Sequence, residues 1–305
     1  MSAHFYPIGT PGVPWGEAEV VAWRARLVRQ RSYADDVLAA LTPLRERFDI
    51  QTYGEVDADG ERFPLQVVRS RNWRDDLPTL VVTGGVHGYE TSGVHGALHY
   101  LQQHGQETAG RANLLLVPCV SPWAYERIQR WNHRALDPNR NFREGSPAAE
   151  SAALVALLAP LKGRVRMHID LHETTDTDES EFRPALAARD GKPFEPGEIQ
   201  DGFYLVDDAD HPQPAFQRAV IDAVAQVTHI AAPDAQGQIN ESPLQSPGVI
   251  EFPVSRWALC AAITGARFAT TTEVYPDSPR TTPAECNLAQ VVAVKAAIDY
   301  ALAAA

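Results

Sequence analysis

The sequence is poor in several features that would have assigned it to other classes of protein. It has only three cysteines in 305 residues, Cys119, Cys260 and Cys286. Odd in number and far apart, they offer neither a closed set of disulfides nor a metal-binding spacing. They are expected to be reduced, buried, small hydrophobes. Basic residues are outnumbered, with 27 Lys and Arg against 39 Asp and Glu and a formal charge of −12. Such a surface repels nucleic acid and anionic membranes unless cations gather locally; no basic run is visible, so neither partner is expected. No stretch reads as the roughly 20 apolar residues of a membrane span. The opening MSAHFYPIGTPGVPWGE lacks the basic start and apolar core of a secretory signal. A cytoplasmic location is therefore the expectation. Repeats, low-complexity tracts and linkers are also missing, which leaves a single domain over residues 1–305.

What is present is an ordinary globular composition, 44% hydrophobic and 22% charged. Helical spacing of apolar residues appears at 16–30 and 32–48, with Ser32 and Asp35 suited to cap the second segment. Strand-like runs at 63–68 and 79–82 follow the turn DADG at 57–60. Helix and strand patterns then alternate: helix 92–104, strand 112–120, helix 148–161, strand 165–172. The last third adds strands at 203–206, 248–252 and 267–275, and helices at 214–227 and 288–303. Continuously apolar strands alternating with helices predict an α/β fold, a mixed, mostly parallel sheet with helices on both faces.

Four places could collect chemistry. The stretch TGGVHGYETSG at 83–93 leaves an apolar strand through Gly84 and Gly85, residues that allow unusual backbone angles or close approach of a ligand. It then presents His87 and Glu90, which at i and i+3 can converge on one metal ion at the carboxyl end of a central strand. The second, VRMHIDLHETTD at 165–176, puts His168, Asp170 and His172 on one strand face, the two histidines about 13 Å apart. His172, at the strand end, is the better ligand and His168 the better hydrogen-bonded core residue. Glu173 is a rival carboxylate whose side chain should point to the opposite face. With His87, Glu90 and His172 the chain can supply the two nitrogens and one carboxylate of a catalytic zinc site.

The third, RIQRWNHRALDPNRNF at 127–142, is rich in guanidinium and amide groups and suits recognition of a carboxylate and stabilisation of an oxyanion. The fourth, FATTTEVYPDSP at 268–279, brings Glu273 out of a β-branched run as a candidate base, with Glu251 in VIEF as a second, more deeply placed one.

Taken in order, HGYE, LDPNRNF, DLHET and TTTEVY resemble the motifs of the M14 zinc carboxypeptidase family, including its succinylglutamate desuccinylase/aspartoacylase branch. The resemblance spans 79–275. It implies one Zn2+ held by His87, Glu90 and His172, with Glu273 as general base and proton shuttle. It implies that Asn139 and Arg140 grip a substrate carboxylate, and that Asp137 orients the first histidine. Arg130 is matched to the arginine that polarises the scissile carbonyl, with Arg127 in reserve. It also implies the carboxypeptidase-like three-layer sandwich. The stretch between Glu90 and His172 is compact, and no tyrosine occurs from 253 to 272, where the peptidase branch carries one; Tyr204 and Tyr275 are poorly placed substitutes.

The leading expectation is a zinc metallocarboxypeptidase that removes C-terminal residues from peptides. The alternatives are a deacylase of N-acyl amino acids and a non-catalytic metal- or carboxylate-binding protein. The last is disfavoured, because binding alone needs no proton shuttle.

Overall fold

The computed structural model describes residues 6–304. Among the described residues ten strands occur in the order β1 (Phe48–Ala58), β2 (Glu61–Ser70), β3 (Thr79–Gly84), β4 (Asn113–Val117), β5 (Val165–Glu173), β6 (Tyr204–Asp208), β7 (Gln238–Ile239), β8 (Ser242–Pro243), β9 (Val249–Phe252) and β10 (Phe268–Val274). Eight form one sheet, in the order β1-β2-β4-β3-β5-β10-β6-β9, while β7 and β8 make a separate ribbon. The central four, β4-β3-β5-β10, are parallel, and so is β6-β9; the pairs β1-β2, β2-β4 and β10-β6 are antiparallel. The expected mixed, mostly parallel α/β sheet is what forms.

Side-chain alternation decides what each face holds. Leu80, Val82, Leu114, Leu116, Met167, Ile169 and Leu171 enter one core, packed with Ala97, Leu101, Val294 and Ile298 of the helices Thr91–Gln103 and Pro283–Ala303. Val81, Leu115, Val117 and Val165 enter the other, against Leu154 and Leu158 of the helix Ala149–Leu158. Each such fully buried side chain contributes about 1.5–3 kcal/mol, so both faces of the central strands must be covered. The even-numbered residues His168, Asp170 and His172 share the face opposite Met167, Ile169 and Leu171.

The helix Pro283–Ala303 is long and apolar enough to cross a membrane by length and composition, which the sequence pattern had not suggested. Half of its apolar window is buried within the protein, and it packs on the helices Thr91–Gln103 and Pro214–Val224 and on β5 and β10. It is a core helix.

The N-terminal third departs most from the sequence pattern. The first helix covers only Glu17–Ala25, and the chain from Leu27 to Gln30 is not helical. Tertiary contacts override propensity there: Gln30 N bonds to Glu126 O, and the Arg31 guanidinium stacks on Tyr125 while bonding Thr91 Oγ1 and the carbonyls of Tyr125 and Gly88. The segment 32–48 is a succession of a π turn (Ala34–Leu38), one α turn (Ala39–Leu41) and a 3-10 turn (Thr42–Glu46), with Pro43 denying the donor that a continuous helix needs. Ser32 Oγ does accept from Asp35 N at 3.1 Å. β1, which no apolar run announced, is an edge strand with much of its length exposed; DADG is the turn that joins it to β2.

The glycines of the opening motif act mainly by close packing. Gly85 has φ +61, and a Cβ on Gly84 would lie 2.5 Å from the carbonyl oxygen of Gly93. Close approach is thus to the protein's own backbone. Gly88 is tighter still, since a Cβ there would sit 2.0 Å from the carbonyl carbon of Ala124. We expect Gly88→Ala to lower stability by about 3 kcal/mol, read as the shift of a urea unfolding curve; an unchanged midpoint would show that this contact is not tight.

Candidate metal centre

Parallel pairing brings the motif-bearing ends together. β3 runs beside β5, and β5 beside β10 with His172 opposite Glu273. All three strands point the same way, so the loop after β3, the end of β5 and the end of β10 open onto one cavity of about 670 Å3. His87, His172, Asn139, Arg130, Arg140 and Glu273 all contribute to its lining.

His87, Glu90 and His172 converge so that one ligand atom from each lies within 4.8 Å of the other two, and all three residues are buried. His87 Nδ1 is 2.6 Å from Glu90 Oε1, and His172 Nδ1 is 2.8 Å from Glu90 Oε2. The far nitrogens are held by carboxylates: His87 Nε2 lies 3.0 Å from Asp137 Oδ1, and His172 Nε2 lies 2.6 Å from Asp170 Oδ2. A carboxylate at Nε2 favours the Nε2–H tautomer and leaves the Nδ1 lone pair facing Glu90.

Two observations show that a cation fits. Glu90 Oε2 is buried without a hydrogen-bond partner, its approach to His172 Nδ1 having a geometry that makes no such bond. Glu90, Asp137 and Asp170 also concentrate three buried carboxylates on two imidazoles, and Arg130 pairs with only one of them, Asp137, so the set favours further positive charge. Burial alone would raise the Glu90 carboxyl, but His172 and His87 outweigh it and hold it at about 2. Burial opposes charge on His172, yet Glu90 and Asp170 prevail and push it well above its ordinary value. Two nitrogens and one carboxylate are the donor set of an open catalytic metal site.

Asp170 is the supporting residue that sequence reasoning left without a role, although its shared face with His172 was visible. It accepts from Thr83 Oγ1 at 2.6 Å, and Thr83 in turn lies 3.1 Å from His168 Nε2. His168 Nδ1 lies 3.3 Å from Thr264 Oγ1, so His168 is a fully buried, hydrogen-bonded core residue. Burial pushes its imidazole down to about 4. Glu173 points the other way and caps the helix Thr91–Gln103: its oxygens accept from Thr91 N at 2.9 Å and Ser92 N at 2.7 Å. A second support is Gln290, a buried amide on the long helix that donates to the carbonyl of His172 and accepts from Thr272 Oγ1. Its only sequence signal was a polar residue in an apolar helical pattern.

Glu273 sits at the end of β10, half-buried, and accepts from Thr174 Oγ1 at 2.9 Å. Burial raises its carboxyl to about 8. Tyr204 reaches Thr174 Oγ1 at 2.8 Å, so it joins this network through the threonine; no tyrosine is among the described residues lining the cavity. Glu251 lies on the edge strand β9, outside the cavity lining.

Arg130 is positioned from three sides. Its Nε donates to Asp137 Oδ2 at 3.2 Å, one NH donates to the Tyr89 hydroxyl at 2.8 Å, and Asp178 Oδ1 lies at 3.4 Å. Tyr89, between the two ligand positions of HGYE, donates its hydroxyl hydrogen bond to Asp178 at 2.7 Å and lies near-parallel to His87. Asp137 thus joins His87 to Arg130. Asn139 lines the cavity with its oxygen accepting from Cys260 N at 2.8 Å and its amide 3.5 Å from His172 Nε2, while Arg140 is exposed and bonds only the carbonyl of Asn139. Arg127 turns away to Glu61 and Glu126. The three cysteines are free and buried.

The fold that carries the His–Glu–His constellation is the one seen in solved structures of metallopeptidases and metallo-carboxypeptidases. Residues 76–191 match the model of the succinylglutamate desuccinylase/aspartoacylase catalytic domain. The matched segment holds both histidines, Glu90 and the Asp137–Arg140 loop, and ends before Glu273. Solved structures share the fold. A proposed metallopeptidase from Shewanella denitrificans OS217 is 24% identical, with 87% of this chain and 89% of that chain covered and a TM-score of 0.67. Another, from Shewanella amazonensis SB2B, is 22% identical over 90% and 98%, with a TM-score of 0.64. A metallo-carboxypeptidase from Burkholderia cenocepacia is 12% identical over 94% and 69%, with a TM-score of 0.58. No protein of curated function matches the sequence.

Proposed function

We propose that the protein is a zinc-dependent hydrolase of an amide bond beside a free carboxylate, acting on peptides as a carboxypeptidase and working as one catalytic domain. The observation that carries this reading is the convergence of His87 Nδ1, Glu90 and His172 Nδ1, each imidazole backed by its own carboxylate, at a cavity shared with Glu273 and two arginines. A zinc ion in that set would supply Lewis acidity and lower the pKa of water towards about 7. Glu273 is the group that takes the proton and returns it to the leaving amine. Arg130, fixed by Asp137 and Asp178, is the donor for the developing oxyanion, a role worth about 3 kcal/mol. Arg140, at the cavity wall beside Asn139, takes the substrate carboxylate.

A second reading, deacylation of an N-acyl amino acid, uses the same groups. It is favoured by the desuccinylase/aspartoacylase match and by the lack of tyrosine in the described cavity lining. Metal analysis of the purified protein followed by a substrate screen tests both. The expected result is about one zinc per chain, with cleavage of C-terminal residues that a chelator stops and added zinc restores. Much faster cleavage of N-acyl amino acids than of short peptides would select the deacylase, and a chain that holds no metal would defeat both readings.

A further inference from the structure

Beside the catalytic cavity lies a second pocket of about 470 Å3, which the amide-hydrolase reading uses only through Arg130, Asp137 and Arg140 and of which it leaves Arg134 and Arg189 without a role. Four arginines line it, Arg130, Arg134, Arg140 and Arg189, with Asp137 as the carboxylate in the lining; Arg130 is paired with Asp137 and Asp178 and Arg189 with Asp190, which leaves Arg134 and Arg140 as the guanidinium groups without an ion pair among the described residues. Asp137 is already committed, one oxygen to His87 and the other to Arg130. In a chain with a formal charge of −12, such a concentration of guanidinium groups is a local reversal of sign.

The arginines differ in how far they are satisfied. Arg189 is pre-oriented: it stacks on Trp131 at 4.6 Å, donates to the carbonyl of Ala135 at 3.0 Å and pairs with Asp190 at 2.9 Å. The N-terminal segment is pinned against it, with Trp15 N bonded to Arg189 O at 2.8 Å. The Arg134 guanidinium donates only to the carbonyl of Pro147, and that of Arg140 donates only to the carbonyl of Asn139 and lies 5.7 Å over the Trp257 ring; neither has a carboxylate within ion-pair distance among the described residues. Val20, Leu136 and Leu186 supply an apolar wall. Guanidinium forks held next to an apolar surface bind a carboxylate or phosphate group rather than a neutral one.

We propose that this side pocket is an oxyanion-binding site, taking a carboxylate or phosphate group through Arg134 and Arg189 with help from Arg140. The pocket shares Arg130, Arg140, Phe182 and Leu186 with the catalytic cavity, while Arg134 and Arg189 line the side pocket alone. An anion held there is therefore placed to be felt by the two arginines that face the substrate, whether it is part of that substrate or a free ion.

The test is binding of inorganic phosphate and of glutarate by isothermal calorimetry to the whole chain and to two variants, Arg134→Glu and Arg189→Gln. Both variants spare the catalytic cavity, and Arg134 is exposed, so its replacement leaves the fold intact even if Arg189→Gln does not. Arg134→Glu is expected to weaken anion binding at least about tenfold; affinities equal to wild type in that variant would overturn the proposal. Turnover of peptides that differ only by Asp or Asn before the scissile bond then identifies the source. A preference for Asp that Arg134→Glu erases assigns the anion to the substrate, and equal turnover with phosphate binding still lost assigns it to a free ion. A chain that binds phosphate through Arg134 and hydrolyses no amide would leave this site standing and remove the proposed function.

Discussion

Glu273→Gln is expected to reduce turnover by about a hundredfold to ten-thousandfold while the metal content of the purified protein stays at the wild-type level. The reason is separation of roles. Glu273 is at the end of β10, hydrogen-bonded to Thr174 and outside the His87, Glu90 and His172 set, so its amide isostere keeps the shape of the site and removes only the proton acceptor. Substantial residual activity with full metal content would take Glu273 out of the mechanism. The pH profile should carry the same signature. Burial raises this carboxyl to about 8 in the protein alone, and a cation nearby favours the ionised form and brings it lower. A base must be ionised to work, so activity rises with pH along a limb whose midpoint lies below 8, and that limb should vanish in the Gln variant.

The second large effect separates two histidines on one strand face. His172→Ala should lose the metal, with an affinity loss larger than the roughly 10- to 100-fold expected for removing a supporting residue such as Asp170. His168→Ala should retain the metal and lose stability by about 2–4 kcal/mol, because it empties a buried site and removes the contacts of the imidazole with the hydroxyls of Thr83 and Thr264. Metal content by elemental analysis and urea unfolding read the two quantities independently. Metal retained in His172→Ala and lost in His168→Ala would reverse the assignment of ligand and core residue.

These two histidines show how much of the site the sequence made legible. Period-two alternation put His168, Asp170 and His172 on one face, and distance along a strand excluded both histidines from one metal. Nothing in that pattern said that Asp170 would reach the Nε2 of its own strand neighbour, because a carboxylate's partner depends on rotamers and on Thr83 from an adjacent strand. Tyr89 was equally opaque. Its hydroxyl joins Arg130 to Asp178, residues that come close only once the segments after β3, β4 and β5 fold over the same sheet edge. Asn139 stood out as part of a polar run, but its contacts with Cys260 and His172 come from loops far away in sequence.

The fold divides in the same way. The continuous apolar runs of β3, β4 and β5 were readable because strands buried on both faces need hydrophobic side chains at every position. β1 was not, since an edge strand with an exposed face carries an ordinary polar sequence. The segment 27–30 read as helix and is held out of it by Arg31 gripping the segments that carry Gly88 and Tyr125. By itself, the sequence determined the α/β class, the order of the four motifs and the residue types a metal site demands, because these depend on local periodicity and side-chain chemistry. Only the tertiary structure decided which nitrogens face Glu90, which carboxylates hold them there and which arginines gather around a second pocket. Those are distances between strands and loops, set by parallel pairing and packing rather than by spacing along the chain.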